Sequence, residues 1–156
     1  MRLVGQARVV PRWGVEVEAP IPFAKRKSLK LPLFSAKVQA GFPSPADDHM
    51  ERSLDLNEEL IRNPASTFFV RVKGDSMRDA GIHTGDILVV DRSLTPTDRK
   101  IVVAMIDGEF TVKRFRATDG KVFLEAANEK FPRIEVSGDQ ELVVWGVVAF
   151  VIHQAR

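Results

Sequence analysis

The sequence contains no cysteine. That excludes disulfides, thiolate metal centres and a cysteine nucleophile. Its three histidines, His49, His83 and His153, lie too far apart for metal-ligand spacing, so neither a metal nor any other cofactor is expected. No apolar run approaches the roughly eighteen residues of a membrane span. Pro11, Pro20, Pro22 and Pro32 break up the N-terminal region before a signal-peptide core can form, so a cytoplasmic protein is expected. Pro20, Pro22 and Pro32 would also interrupt the helices of a helix-turn-helix. Internal repeats and low-complexity segments are missing too. What remains, in 156 residues, is room for one domain with a real core and a short appendage.

Charge is unevenly spread. Residues 1–40 carry eight Lys/Arg against Glu16 and Glu18, a balance of +6, while the other 15 basic and 19 acidic residues make −4. A basic arm on a mildly acidic body suits nucleic acid, an acidic protein surface or plain solvation. The body has no basic stripe interleaved with aromatics, so direct DNA binding is expected to be weak or absent.

Strand-like pieces are expected in the arm at Ala7–Val10 and Gly14–Val17, and Gly41-Phe42-Pro43-Ser44-Pro45 reads as a non-helical hinge. Asp55 caps the one convincing helix, with Glu58 three residues on and Leu56, Leu60 and Ile61 on one face until Asn63-Pro64 stops it. Alternation and turn residues then predict strands at Thr67–Lys73, Ile87–Asp91, Lys100–Ile106, Glu109–Arg116, Val122–Glu125, Arg133–Val136 and Leu142–Ile152. Asp107-Gly108 is a two-residue hairpin signal. The fold class is mainly β: a compact antiparallel domain with one short helix and an extended N-terminal arm. The expected divisions are an arm at 1–40, a hinge and linker at 41–66, and a β domain at 67–156. Trp145 suits the core or a dimer seam, with core packing favoured; Trp13 has no assigned place.

Two residues could carry chemistry together. Ser76 follows Gly74-Asp75, where a rigid strand ends and a turn exposes a hydroxyl. Lys113 shares a strand face with Thr111 and Phe115, a setting that strips water from an ammonium. A serine becomes a nucleophile when a base removes its proton, and a neutral lysine can be that base. Neutrality near pH 7 requires lowering a pKa of ~10.4 by roughly three units, about 4 kcal/mol, which burial without a carboxylate partner can supply.

Gly74-Asp75-Ser76-Met77, Gly85-Asp86 and Glu109-Phe110-Thr111-Val112-Lys113-Arg114 resemble the self-cleaving domain of the LexA/UmuD family, down to the 37-residue separation of serine and lysine. Ala40-Gly41-Phe42-Pro43-Ser44-Pro45-Ala46 resembles the cleavage segment of the UmuD branch, as do Leu54-Asp55-Leu56-Asn57 and Asn63-Pro64-Ala65-Ser66-Thr67 its linker. The likeness covers about residues 40–152. It implies Ser76 as nucleophile, Lys113 as general base, Ala40–Gly41 as the scissile bond and the amides of Asp75 and Ser76 as oxyanion donors. It further implies an SOS-response homodimer, cut with help from a RecA filament on single-stranded DNA. The processed form would serve a UmuC-type Y-family translesion polymerase. The competing readings are a non-catalytic adaptor, an anti-repressor module of the same fold, and a general protease related to signal peptidases.

Overall fold

The computed structural model describes residues 15–17, 21–22, 28–34 and 50–155. Four strands come first: β1 (Val15–Val17), β2 (Ile21–Pro22), β3 (Lys30–Phe34) and β4 (Met50–Asp55). A single helical turn, α1 (Leu56–Leu60), follows. Then come β5 (Thr67–Gly74), β6 (Ile87–Asp91), β7 (Ile101–Ile106), β8 (Glu109–Thr118), β9 (Lys121–Glu125), β10 (Ile134–Glu135) and β11 (Leu142–Ile152). The domain is mainly antiparallel β, the class expected from the sequence. The Gly14–Val17 piece appears as β1, whereas Ala7–Val10, Trp13 and the 41–45 hinge lie outside the described residues.

The main sheet runs β1-β5-β6-β11-β7-β8-β9-β10, and β2 also pairs with β5. Every ladder in it is antiparallel. β1, though an end strand, also lies against β8, so the sheet curls over on itself. The curl brings the end of β5 to the strand that carries Lys113.

Alternation along the strands sorts side chains into two clusters. Phe68, Val70, Leu88, Val90, Val103, Phe110, Val112 and Trp145 fill one, with Phe110 meeting the Trp145 ring edge-on at 4.4 Å. Val102, Ala104, Ile106, Leu124, Ile134 and Val147 fill the other. Trp145 therefore belongs to the core. Its indole Nε1 is buried with no hydrogen-bond partner among the described residues. β11 shifts register between Val144 and Gly146, where a Cβ on Gly146 would stand 2.6 Å from Val90 Cγ1 and 3.0 Å from the Asp91 carbonyl oxygen. Only glycine lets β11 pass β6 that closely.

Asp107-Gly108 makes the β7–β8 hairpin, with φ of 49° and 82°. Asp119-Gly120 repeats the device between β8 and β9, at 52° and 73°, which is why β8 runs two residues beyond the expected Arg116.

The helix needs correction. Asp55 does cap it, accepting from the Asn57 amide at 2.9 Å, but α1 ends at Leu60. Leu56 is 57% exposed, so the expected apolar face reduces to Ile61 with a half-buried Leu60. Too few apolar contacts exist to extend so short a helix. The 41–66 linker likewise contains a strand: β4 pairs with β3, Leu31 facing Leu54 and Pro32 facing Ser53.

Candidate functional site

β5 ends at Gly74, whose φ of 109° breaks the strand sharply. The following turn is held by a short 3-10 helix at Arg78–Ala80, with Arg78 N–H donating to the Asp75 carbonyl at 3.1 Å. Met77 and Ile82 anchor both ends of this turn in the core, at 1% and 0% exposure. A second turn clamps it from the side: the Gly74 amide donates to Thr84 Oγ1 at 2.9 Å, and the Gly85 amide to the Val72 carbonyl at 2.8 Å. Ser76 is thus fixed by its neighbours on both sides, and it is fully buried.

Lys113 reaches it from β8. Its Nζ stands 3.1 Å from Ser76 Oγ, 2.8 Å from Thr111 Oγ1 and 3.2 Å from the Val112 carbonyl oxygen. On the ladder Lys113 faces Val102, on the side of the second apolar cluster, and is 1% exposed. Burial pushes its pKa down to about 8. A neutral amine has two N–H groups and one lone pair. An amine that donates to Thr111 Oγ1 and the Val112 carbonyl can turn its lone pair toward Ser76 Oγ, 3.1 Å away.

The structure therefore brings together Ser76 and Lys113, as expected, and sets the backbone of Asp75 and Ser76 beside them. Ala40 and Gly41 lie outside the described residues, in the stretch that joins β3 to β4. A cavity lined by Leu60, Asn63, Thr67, Asp91, Leu94 and Phe150 lies elsewhere and touches neither Ser76 nor Lys113.

Three contacts were not foreseen. Thr111 was read as a flank of Lys113 and turns out to hold its nitrogen. Asn128, 3% exposed in the loop after β9, donates from Nδ2 to the Asp75 carbonyl at 2.9 Å; its type and position carry no signal in the sequence. The third corrects the reading of scattered histidines. Asp86 Oδ1 is 2.6 Å from His153 Nδ1, and the His83 and His153 rings lie 5.2 Å apart. The β6–β11 register, which pairs Ile87 with Ile152, brings them together.

His83, Asp86 and His153 are a conceivable metal set, with ligand atoms within 4.8 Å of one another. Two ligands of one tetrahedral zinc stand about 3.4 Å apart, so the 2.6 Å contact is a hydrogen bond rather than a coordination pair. Asp86 already serves as a turn cap through Oδ2, which accepts from the His83 amide at 2.8 Å. Burial tends to raise the Asp86 pKa, but the bonds from the His83 amide and His153 outweigh it and the net shift is downward.

Comparison with known proteins supplies a family. The peptidase S24-like family model matches residues 32–149. The chain is 47% identical over 125 residues to Protein SamA of Salmonella typhimurium, covering 80% of this chain and 86% of that one. It is 46% identical over 119 residues to Protein MucA of Escherichia coli, covering 76% and 81%. Similarity to the LexA repressor of Shewanella piezotolerans is 41% over 125 residues, covering 80% of this chain and 60% of the repressor.

Proposed function

The chain belongs to the peptidase S24-like family, and from that premise we propose that it is an SOS-response protein that cuts itself between Ala40 and Gly41 with a Ser76/Lys113 dyad. The observation that carries this reading is the buried 3.1 Å contact between Lys113 Nζ and Ser76 Oγ.

Neutral Lys113 takes the Ser76 proton as Oγ attacks the Ala40 carbonyl. The amides of Asp75 and Ser76 receive the developing oxyanion. Collapse of the tetrahedral intermediate breaks the C–N bond, and the Lys113 ammonium protonates the leaving amine of Gly41. Residues 1–40 remain as an ester on Ser76 until water, deprotonated by Lys113, hydrolyses it. Thr111 keeps the lysine nitrogen aimed throughout.

Both dyad residues are closed to bulk water, which suits a tethered substrate better than a diffusing one. The slow step is then population of the docked arrangement with Lys113 neutral, and a partner that stabilises it accelerates cutting without adding a catalytic group. A RecA filament on single-stranded DNA fits that part. The product, residues 41–156, is proposed as the homodimeric accessory subunit of a UmuC-type Y-family polymerase. SOS mutagenesis is the setting that the resemblance to the UmuD branch supports. Removing the +6 arm from the −4 body would reverse the charge that such a partner meets.

The test is mass spectrometry of purified protein at pH 7 and pH 10, with and without RecA, ATP and single-stranded DNA, beside Ser76→Ala and Lys113→Ala. A fragment beginning at Gly41, faster at pH 10 and absent from both variants, is the expected result. No cleavage under any condition would leave a non-catalytic adaptor of the same fold.

A further inference from the structure

We propose that Asn128 is a positioning residue that aims the Ser76 amide at the oxyanion. The proposal rests on the self-cleavage reading above and adds to it a residue outside the dyad and outside both flanking turns.

The Asp75 carbonyl and the Ser76 N–H belong to one peptide group. The described chain contains no cis peptide, so the two point in opposite directions in a common plane. Whatever fixes the carbonyl therefore fixes the direction of the amide. Two donors do so. Arg78 N–H donates to it at 3.1 Å within the turn, and Asn128 Nδ2 at 2.9 Å from 53 residues away.

The first bond is local to the turn. The second ties the peptide plane to another loop, and that loop is itself anchored. Asp79 N–H donates to the Ala127 carbonyl at 2.8 Å, and Ala127 packs into the larger core cluster. The Asn128 amide can stand only one way round. Its Oδ1 accepts from Lys130 N–H at 3.1 Å, which leaves Nδ2 to serve the Asp75 carbonyl. Filling both lone pairs of that carbonyl also polarises the peptide, making the Ser76 N–H a stronger donor. Asn128 is 3% exposed, so water does not readily replace it.

A side chain that works through the oxyanion site lowers the rate without changing the ionisation of Lys113. The experiment is the pH–rate profile of self-cleavage in the full-length chain for wild type, Asn128→Ala and Asn128→Asp, with thermal melts alongside. The aspartate has the same shape but replaces the donor with an acceptor. The expected result is a plateau rate about 10–100-fold lower in both variants, with the midpoint of the Asn128→Ala profile unmoved; the carboxylate of Asn128→Asp moves the midpoint by its own charge.

Wild-type rates in both variants overturn the proposal. A slowed Asn128→Ala whose midpoint shifts overturns it too, because Asn128 would then act through Lys113. If Asn128→Ala does not fold, Asn128→Asp decides; if neither folds, Asn128 holds the structure generally and the specific role is wrong. Failure of wild type to cleave at any pH, with or without RecA filament, is a different result and counts against the self-cleavage reading itself.

Discussion

Raising the pH from 7 to 9 takes Lys113 from mostly charged to mostly neutral. With a pKa of about 8, the neutral fraction is ~9% at pH 7, ~50% at pH 8 and ~91% at pH 9. If the neutral amine is the base, the first-order rate of self-cleavage climbs about tenfold over those two units and levels off by about pH 9.5. An unburied lysine, near 10.4, would instead keep gaining about tenfold per unit through pH 10. The assay is the time course of the fragment beginning at Gly41, read by mass spectrometry at closely spaced pH values. Ser76→Ala should give no fragment at any pH. A wild-type rate that changes less than about twofold between pH 7 and 9 would refute lysine as the titrating base. A rise that continues unbroken to pH 10 would refute its desolvation. On the same numbers a slow rate is expected at neutral pH, where about nine molecules in ten hold the lysine charged.

The same ionisation must appear in stability. Between pH 8 and 10.5 the unfolded chain binds more protons at Lys113 than the folded one, so stability rises with pH there, by at most about 3 kcal/mol. Urea melts should show this rise, and Lys113→Met should remove it. Asp86 acts with the same sign in an acid window. Its folded pKa lies below the ordinary 3.8, so its contribution is present above that value and is lost as pH falls through the folded one. Asp86→Asn should cost about 1–3 kcal/mol at pH 7 and flatten the acid limb of a denaturation curve. Gly146→Ala drives a methyl into Val90 and the Asp91 backbone, and should cost about 1–3 kcal/mol in thermal or urea melts.

Seven strands were legible in the sequence, two of them to the residue, because alternation of Val, Ile and Leu against turn residues is a local signal. β3 and β4 were not. Lys30-Leu31-Pro32-Leu33-Phe34 has a proline at its centre, and its partner Met50–Asp55 is mostly polar, so neither declares itself until the pair is formed. The helix at Leu56–Leu60 was overextended because leucine spacing was taken for a buried face that the body does not cover. Ser76 and Lys113 each had a suggestive local setting, but the resemblance to a family was needed to join them; a serine in a turn and a lysine on a distant strand have no local pattern that pairs them. Asn128 and the His153–Asp86 pair were illegible for a related reason. Each acts through a register between distant segments, β6 with β11 in one case and the loop after β9 with the turn after β5 in the other.

One consequence of the arm's strand pairing concerns what a cut at Ala40–Gly41 leaves behind. β1 and β2 lie along the outer edge of β5, and β3 is zipped to β4 on the far side of the proposed scissile bond. Hydrolysis would therefore yield a nicked but assembled molecule, two chains sharing three ladders. Separation is then a dissociation opposed by bimolecular rebinding, so it is favoured by dilution and opposed by a high local concentration of the severed segment. A denaturing gel counts such molecules as processed, whereas native size measurement counts them as whole. Only on separation does β5 bare the edge that β2 covers at Phe68–Phe69 and β1 at Val72–Gly74, a template for a strand from another chain. The activating event would be the departure of the arm, with its own half-life, and the chemistry only makes that departure possible.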